Sequence, residues 1–332
     1  MRERRGRPKL SVALGTHNGE RFIAEQIASI LGQTTPPDEI VLSDDASSDR
    51  TVHLVQAAID AHRERNGDGP ELLVLRNEPA LGVTKNFEQA ISRCTGDLIA
   101  LCDQDDVWHP ERLERLTMNF ADPSVLLVFS NARQVDEHGD FLGHDLFEAL
   151  AMSREERALV EGGEAFRQFM RRNLATGATV LFRRELGELA MPFPDAWLHD
   201  EWLAVVAAAL DGVRLHDEAL TDYRQHGSNQ VGMRKMNVNR KFAMFRQPRT
   251  ERNRRLYLRA RALAPRLESL EGVSESYRQM AREKLAFEEA RQAYPESRLR
   301  RVGPILRQLR AGRYGVYGTG LKDAVRNLLQ PV

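Results

Sequence analysis

Leu98-Ile-Ala-Leu-Cys-Asp-Gln-Asp-Asp-Val-Trp-His-Pro-Glu-Arg-Leu113 reads as a buried strand, a carboxylate-bearing turn and the start of a helix. Leu98 to Cys102 is an apolar run without a polar interruption, which suits a parallel strand covered on both faces. Asp103, Asp105 and Asp106 follow at once. Pro110 stands where a first helical position is expected, ahead of the apolar-periodic Glu111–Phe120. Three acidic side chains at the end of a buried strand repel one another, and a cation among them offsets that repulsion. Asp-x-Asp sets two carboxylates on one side of a turn, which suits a hard divalent ion that also takes phosphate oxygens. In open α/β sheets, ligands collect at the carboxyl ends of strands. Taken alone, the triplet also fits an Asp-rich turn in which Asp106 caps the next helix.

Upstream, the same unit repeats. Leu10–Leu14 is a strand-like run with Gly15-Thr-His-Asn-Gly19 as its turn, and a helix follows from about Glu20 with Phe22, Ile23, Ile27, Ile30 and Leu31 at helical spacing. Glu39–Ser43 is a second strand running into Asp44-Asp-Ala-Ser-Ser-Asp49, with Asp49 a cap for a helix from Arg50 or Thr51. Glu71–Arg76 is a third strand, and Gly82–Asn86 opens a helix that runs to Arg93. This β-α-β-α-β-α-β order with short turns predicts a doubly wound, mostly parallel sheet. Right-handed crossovers bring every strand end to one edge. That edge carries Thr16, Asn18, Asp44, Asp45, Lys85, Asn86 and the Asp103–Asp106 cluster. Neither G-x-G-x-x-G nor G-x-x-x-x-G-K-[ST] is present, so a bound nucleotide relies on carboxylates and a metal rather than on a glycine cradle.

Composition sets the outer limits. The chain has 332 residues, 42% hydrophobic and 29% charged, which fits a soluble globular protein of one large domain plus an appendage. The basic start lacks the apolar stretch of a secretory signal, and no run approaches a membrane span. Cys94 and Cys102 are the only cysteines, so neither a disulfide framework nor a zinc pattern is expected, and a reducing cytoplasm is the simplest setting. Net charge is zero, but from Arg234 onward there are 24 basic and 9 acidic residues, leaving an acidic body with a basic tail.

Four ordered motifs carry a family resemblance. They are Thr16-His-Asn-Gly19, Ser43-Asp-Asp-Ala-Ser-Ser-Asp49, Gly82-Val-Thr-Lys-Asn-Phe87 and Asp103-Gln-Asp-Asp-Val-Trp-His-Pro110. Together they resemble the family-two glycosyltransferases, which have the GT-A fold, and within them the bacterial rhamnosyltransferase-like group. The resemblance covers about Leu10 to Gly232. It implies a nucleotide-sugar-binding half at 10–120 and an acceptor and catalytic half at 121–232, after a basic tail at 1–9 and before a basic helical extension at 233–332. It also implies an inverting enzyme that uses Mg2+ or Mn2+ to move a sugar, with dTDP-L-rhamnose the first candidate donor. The acceptor is then a hydroxyl of a cell-surface glycan or lipid-linked molecule. Donor-binding residues by this resemblance are Thr16, Asn18, Asp44, Asp45, Lys85, Asp103, Asp105 and Arg224. The metal falls to Asp105 and Asp103, with His226 as a further ligand.

In the second half, Val125–Asn131 reads as a strand, Val135–Asp140 as a hairpin turn and Glu164–Arg171 as a short helix. Trp197-Leu-His-Asp-Glu-Trp-Leu203 opens an apolar helix over Leu203–Leu210, and an acidic pair at a helix start is ordinarily a cap. The resemblance makes Asp200 the general base; Glu201 stands where the group more often has tryptophan, a departure that leaves open whether Glu201 shares or takes that role. Tyr223–Gly232 resembles the segment that closes over the donor diphosphate.

Beyond Met233 the resemblance fades. Met233–Thr250 is a basic linker-like run, and helices are expected over Arg252–Ala264, Tyr277–Tyr294, Pro304–Arg310 and Leu321–Leu329. Three uses of this appendage stay open: an anionic membrane surface at the inner face of the plasma membrane, a homodimer contact, or a solvated face packing on the acidic body. No nucleic-acid partner is expected. Two other readings of the whole chain are a UDP-hexose or UDP-N-acetylhexosamine donor for the same reaction, and a different class of protein. The latter is a sugar-phosphate nucleotidyltransferase, which wants a basic, glycine-rich stretch where Leu14–Gly19 is neither, or a non-catalytic phosphate- or membrane-binding module.

Overall fold

The computed structural model describes residues 6–227 and 248–331. In chain order the elements are β1 (Leu10–Thr16), α1 (Ile23–Leu31), β2 (Glu39–Asp44), α2 (Thr51–Asn66), β3 (Glu71–Arg76), α3 (Val83–Arg93), β4 (Leu98–Cys102), β5 (Val107–Trp108), α4 (Arg112–Thr117), β6 (Leu127–Val135) and β7 (Phe141–Asp145). Then come α5 (Leu146–Ala149), α6 (Arg154–Glu161), α7 (Ala165–Arg171), β8 (Val180–Arg183), α8 (Arg184–Ala190), α9 (His199–Ala209) and β9 (Val213–Arg224). The C-terminal helices are α10 (Arg249–Ser269), α11 (Glu275–Gln292), α12 (Arg298–Arg310), α13 (Arg313–Tyr317) and α14 (Leu321–Leu329). They form two compact units, one of Met1–Ser153, Ala175–Ala207 and Gly212–Met233, the other of Arg154–Leu174, Ala208–Asp211 and Arg234–Val332.

The first unit holds the sheet, ordered β3-β2-β1-β4-β8-β6-β9-β5 with β7 beside β6. β1, β2, β3 and β4 pair in parallel, as the repeating strand–helix units require. Every residue of β1, β2 and β4 is buried, whereas β3, at the edge, is not. That is the burial a continuous apolar run implies for a strand with helices on both faces. β8 then enters antiparallel between β4 and β6, and β9 runs parallel to β6 with two register irregularities. Leu10, Val12 and Leu14 of β1 pack with Ile23, Ile27 and Ile30 of α1 and with β2 and β4 in the main core. The expected hairpin is β6–β7, closed by the Asp136–Asp140 turn.

Three expectations shift. The helix after the Asp103–Asp106 turn starts at Arg112 and tightens into a 3-10 turn over Met118–Ala121, with Pro110 ahead of it. The helix of the His-Asp motif begins at His199, four residues before the apolar run. Pro304 lies inside α12, which starts at Arg298, and Pro265 lies inside α10. A proline in a helix interior forfeits one backbone hydrogen bond. In α12 the buried Arg301 side chain ties the helix to its surroundings by donating to the carbonyls of Pro295, Asn327, Leu328 and Gln330.

The second unit is helical and unusually polar inside. Glu288 and Arg291 are buried and paired, and Lys284 joins them at Glu288. Asp323 is buried against Arg252. Phe287, Tyr314 and Tyr317 pack around this charged centre. Among the described residues no helix is long and apolar enough to cross a membrane.

Candidate functional site

The site lies at the carboxyl edge of the sheet, and one short strand pairing organises it. β5 follows the Asp103–Asp106 turn directly and pairs antiparallel with β9, Val107 opposite Asp222 and Trp108 opposite Thr221. Residues just before Val107 therefore meet residues just after Asp222. Arg224 N–H donates to Asp106 Oδ1 at 3.0 Å, and His226 Nε2 lies 2.7 Å from Asp105 Oδ2. Arg224 is buried and its guanidinium acts as a latch. Nε donates to Asp105 O at 2.7 Å, Nη1 to Glu137 O at 3.0 Å, and Nη2 to Glu25 at 2.5 Å, while the cation rests over the Phe22 ring. Beyond Gly227, the end of the Tyr223–Gly232 segment and most of the Met233–Thr250 run lie outside the described residues.

Gln104, a spacer in the acidic motif, turns out to be a clasp. Its Oε1 accepts from His17 N–H at 2.8 Å and its Nε2 donates to His17 O at 3.0 Å. Gly19 makes room for it, since a Cβ there would stand 2.3 Å from Gln104 Oε1. The turns after β1 and β4 are thereby locked together.

The acidic cluster is electrostatically burdened. Burial, then the charges of Asp105 and Asp200, push Asp103 up to about 7, with Arg112 pulling the other way. Asp106 is pushed well above the carboxylate range by burial and by Asp105 and Asp103, and its Oδ2 has no hydrogen-bond partner among the described residues. Arg112 is buried beneath them and stacks over Trp108 at 3.9 Å, its Nη2 donating to Ala178 O. Burial lowers Arg112 to about 10, so it stays charged at neutral pH. Tyr223 is pushed well up by burial and then by Asp106, Asp103, Asp105 and Asp200, which places all four carboxylates around one region.

Asp200 enters from the first turn of α9. Its Oδ2 accepts from Gly177 N–H at 2.8 Å and its Oδ1 from Glu201 N–H at 2.8 Å. Two backbone donors at the start of the helix fix the position of this carboxyl group. His199 beside it is buried, stacked on Phe87 at 3.8 Å, and held down to about 3 by burial, so it is a neutral spacer. Phe87 in turn covers Gly15, where a Cβ would meet its ring at 2.8 Å.

The remaining expected residues belong to the frame. Thr16 Oγ1 donates to Asp44 Oδ1 at 2.7 Å, and Asp44 also accepts from Ser47 N–H and Oγ. Asp45 accepts from Leu81 N–H at 2.6 Å and Gly82 N–H at 2.9 Å, fixing the start of α3. Asn18, in the left-handed region at φ 47, accepts from Ser48 N–H at its Oδ1 and donates its own N–H to Ser47 Oγ. Lys85 Nζ donates to Glu88 at 2.7 Å and Phe193 O at 2.6 Å. The structure thus gathers Asp103, Asp105, His226 and Asp200, with Arg224 behind them, while Thr16, Asp44, Asp45 and Lys85 bond to neighbouring turns and helix starts. The signals missed in the sequence are Gln104, Arg112 and Gly177, none of which stands out by residue type.

The donor set fits a hard divalent ion. It offers carboxylate oxygens and one imidazole, and Asp103 carries a charge burden that a cation relieves. Among the described residues no three His, Cys, Asp or Glu side chains stand close enough together to form a complete cation site by themselves.

Comparison with known proteins agrees with this geometry. The model of the family described as glycosyl transferase family 2 matches residues 11–186, more than half of the chain. An uncharacterised glycosyltransferase of Nostoc sp. is 27% identical over 225 residues, 67% of this chain and 66% of that protein. The chain spans less than two thirds of the length of the first curated relatives it matches. Among solved structures, S. aureus TarS 1-349 in complex with UDP-GlcNAc superposes with a TM-score of 0.54 at 18% identity, covering 91% of this chain and 81% of TarS. The mannosyltransferase PcManGT of Pyrobaculum calidifontis, in complex with GDP-Man and Mn2+, gives 0.51 at 18% identity over 93% and 77% of the two chains. At that identity these are likenesses of fold, and the fold is the GT-A-like α/β arrangement with C-terminal helices that the motifs imply.

Proposed function

The chain belongs to glycosyl transferase family 2, and from that premise we propose that it is an inverting, metal-dependent transferase acting from a nucleotide sugar onto a hydroxyl of a cell-surface glycan or lipid-linked acceptor. The observation that carries the proposal is the convergence of Asp103, Asp105 and His226 with Asp200 at one sheet edge. On this reading the catalytic domain runs from 10 to 232, donor half 10–120 and acceptor half 121–232, between the 1–9 tail and the 233–332 extension, and works in the cytoplasm.

Asp105 and Asp103, with His226 beside Asp105, would hold Mg2+ or Mn2+ together with phosphate oxygens of the donor. When bound, the ion offsets the negative charge that develops on the leaving nucleoside diphosphate. Asp200 takes the proton of the acceptor hydroxyl as that oxygen attacks the anomeric carbon. Gly177 N–H and the α9 N-terminus hold the Asp200 carboxylate in place, and Glu201, next in the same turn, is the second candidate for the proton. Arg224 orients Asp105 through its backbone carbonyl, and Asn18, Asp44, Asp45, Thr16 and Lys85 hold the turns that line the donor side. A single displacement inverts the sugar carbon.

The rhamnosyltransferase-like motifs put dTDP-L-rhamnose first among donors. UDP-N-acetylglucosamine is the second arm, favoured by the fold likeness to a TarS complex with that donor. The test is release of nucleoside diphosphate from dTDP-rhamnose, UDP-GlcNAc, UDP-glucose and GDP-mannose by the full chain. One donor is expected to be turned over with nucleoside diphosphate, not pyrophosphate, as product. Asp200→Asn is expected to lose about 100-fold or more in turnover, in the range of a general base, while the donor still binds. Undiminished turnover in that variant, or pyrophosphate as product, overturns the assignment.

A further inference from the structure

Two helices of the second unit that pack on each other are built inside out. α14 buries Asp323, Ala324 and Asn327 and exposes Leu321, Val325 and Leu329, spaced i, i+4, i+8. α12 buries Arg301, Ile305 and Gln308 and exposes Leu299, Val302 and Leu306, spaced i, i+3, i+7. Leu299 is 86% exposed and Leu321 68%, whereas Asp323 is only 3% exposed. The buried polar groups have internal work: Asp323 bonds to Arg252 and to Thr319 N–H, and Arg301 crosses to the last carbonyls of α14. The polar faces are thus used up inside. Single exposed leucines are ordinary, but six apolar residues in two helical stripes are not.

The charges around these stripes have one sign. Arg298, Arg300, Arg307, Arg310, Arg313, Lys322 and Arg326 lie on these two helices and on α13 between them, and from Arg298 to the end the one acid is the buried Asp323. We propose that this face binds an anionic lipid bilayer, with the leucines in the boundary between headgroups and acyl chains and the arginines on lipid phosphates. Amphipathic helices with an apolar stripe flanked by Arg and Lys bind membranes in this way, and their long side chains reach up to the headgroups. A second copy of the chain is a poorer occupant, because a two-fold contact sets like charges against each other. The inference does not depend on which donor the first unit uses.

The test is flotation of the full chain with vesicles of phosphatidylcholine alone or with about 30% phosphatidylglycerol, an anionic fraction large enough to attract basic segments. The expected result is a partition coefficient about tenfold or more higher on the anionic vesicles, falling when salt is raised to about 0.5 M. Replacing Leu299, Leu306, Leu321 and Leu329 by serine removes only exposed apolar groups, so the melting curve is expected to persist while vesicle binding drops about tenfold or more. Arg300→Gln with Arg307→Gln and Arg310→Gln is expected to remove the preference for anionic lipid. No preference for phosphatidylglycerol in the wild-type chain overturns the proposal, as does serine-variant binding equal to wild type. A dimer in light scattering that the serine variant dissolves, without vesicle binding, assigns the face to a second copy and also overturns it.

Discussion

Replacing Asp103 by asparagine is expected to make the metal-free protein more stable, by a gain that grows as pH rises from about 4 to about 7 and is full above it. Asp103 stands among Asp105, Asp200 and the buried Asp106, and its proton is held up to about 7 from an ordinary 3.8. A folded-state value above the unfolded one means that the native chain binds more protons between those pH values. Stability therefore falls as pH rises from about 4 to about 7, and stays low above it. Three pH units correspond to about 4 kcal/mol at full weight. Asp103 keeps part of its contact with solvent, which screens the charge, so about 1–3 kcal/mol is the expected gain for Asp103→Asn at pH 8. At pH 4 the native carboxyl is already neutral and the gain vanishes. Urea denaturation of EDTA-treated wild type and variant at pH 4, 6 and 8 reads this directly as a shift in midpoint. A gain that does not change with pH, or a loss of stability at pH 8, refutes the reasoning that charge crowding marks this cluster as a cation site.

Other outcomes follow from the same contacts. Arg224→Met keeps the aliphatic stem over Phe22 but strands the Asp105 and Glu137 carbonyls, at an expected cost of about 2–4 kcal/mol; a urea-midpoint loss below about 1 kcal/mol contradicts the latch. Gly96→Ala places a Cβ 2.8 Å from Ser11 N and 2.9 Å from Lys9 O, backbone atoms that cannot yield. It is expected to cost about 1–3 kcal/mol by overpacking while leaving nucleotide binding intact, because Gly96 sits at the opposite end of β4 from the acidic turn. Glu39 is pulled both ways: burial raises its proton affinity, but Ser11, the Thr95 N–H and hydroxyl, and Lys9 together hold it below the ordinary range. Its contribution is present above about pH 4.5 and lost as pH falls through the lower folded value, so Glu39→Gln costs most at pH 7 and progressively less as the pH is lowered in acid-unfolding curves.

What could be read from the sequence follows where apolar pattern and fold coincide. β1, β2 and β4 are buried on both faces, so their centres, Val12–Leu14, Ile40–Leu42 and Leu98–Cys102, appear as apolar runs. β9 was hidden because Arg214, His216, Asp217 and Glu218 interrupt its pattern. Its place is set by pairing with β6 across two register irregularities, a contact between residues more than eighty apart in the chain. Pro304 reads as a helix start, but α12 begins at Arg298 and continues through it. In the site, the types of Asp103, Asp105, Asp200 and His226 point to their chemistry. Whether Asp44, Asp45 and Lys85 face a ligand or a turn is decided by hydrogen bonds to Ser47, Leu81, Gly82 and Phe193, which residue type alone does not reveal.

The most direct test of a metal-dependent nucleotide-sugar site is the thermal unfolding midpoint of the full chain with dTDP, UDP and GDP, each with and without Mn2+. A ligand that binds only the folded state raises the midpoint in proportion to the logarithm of its concentration over its Kd. The account predicts that one nucleotide raises the midpoint, that the rise needs the metal, and that it disappears in Asp105→Asn. A rise without metal, a rise that survives Asp105→Asn, or no rise with any of the three contradicts it.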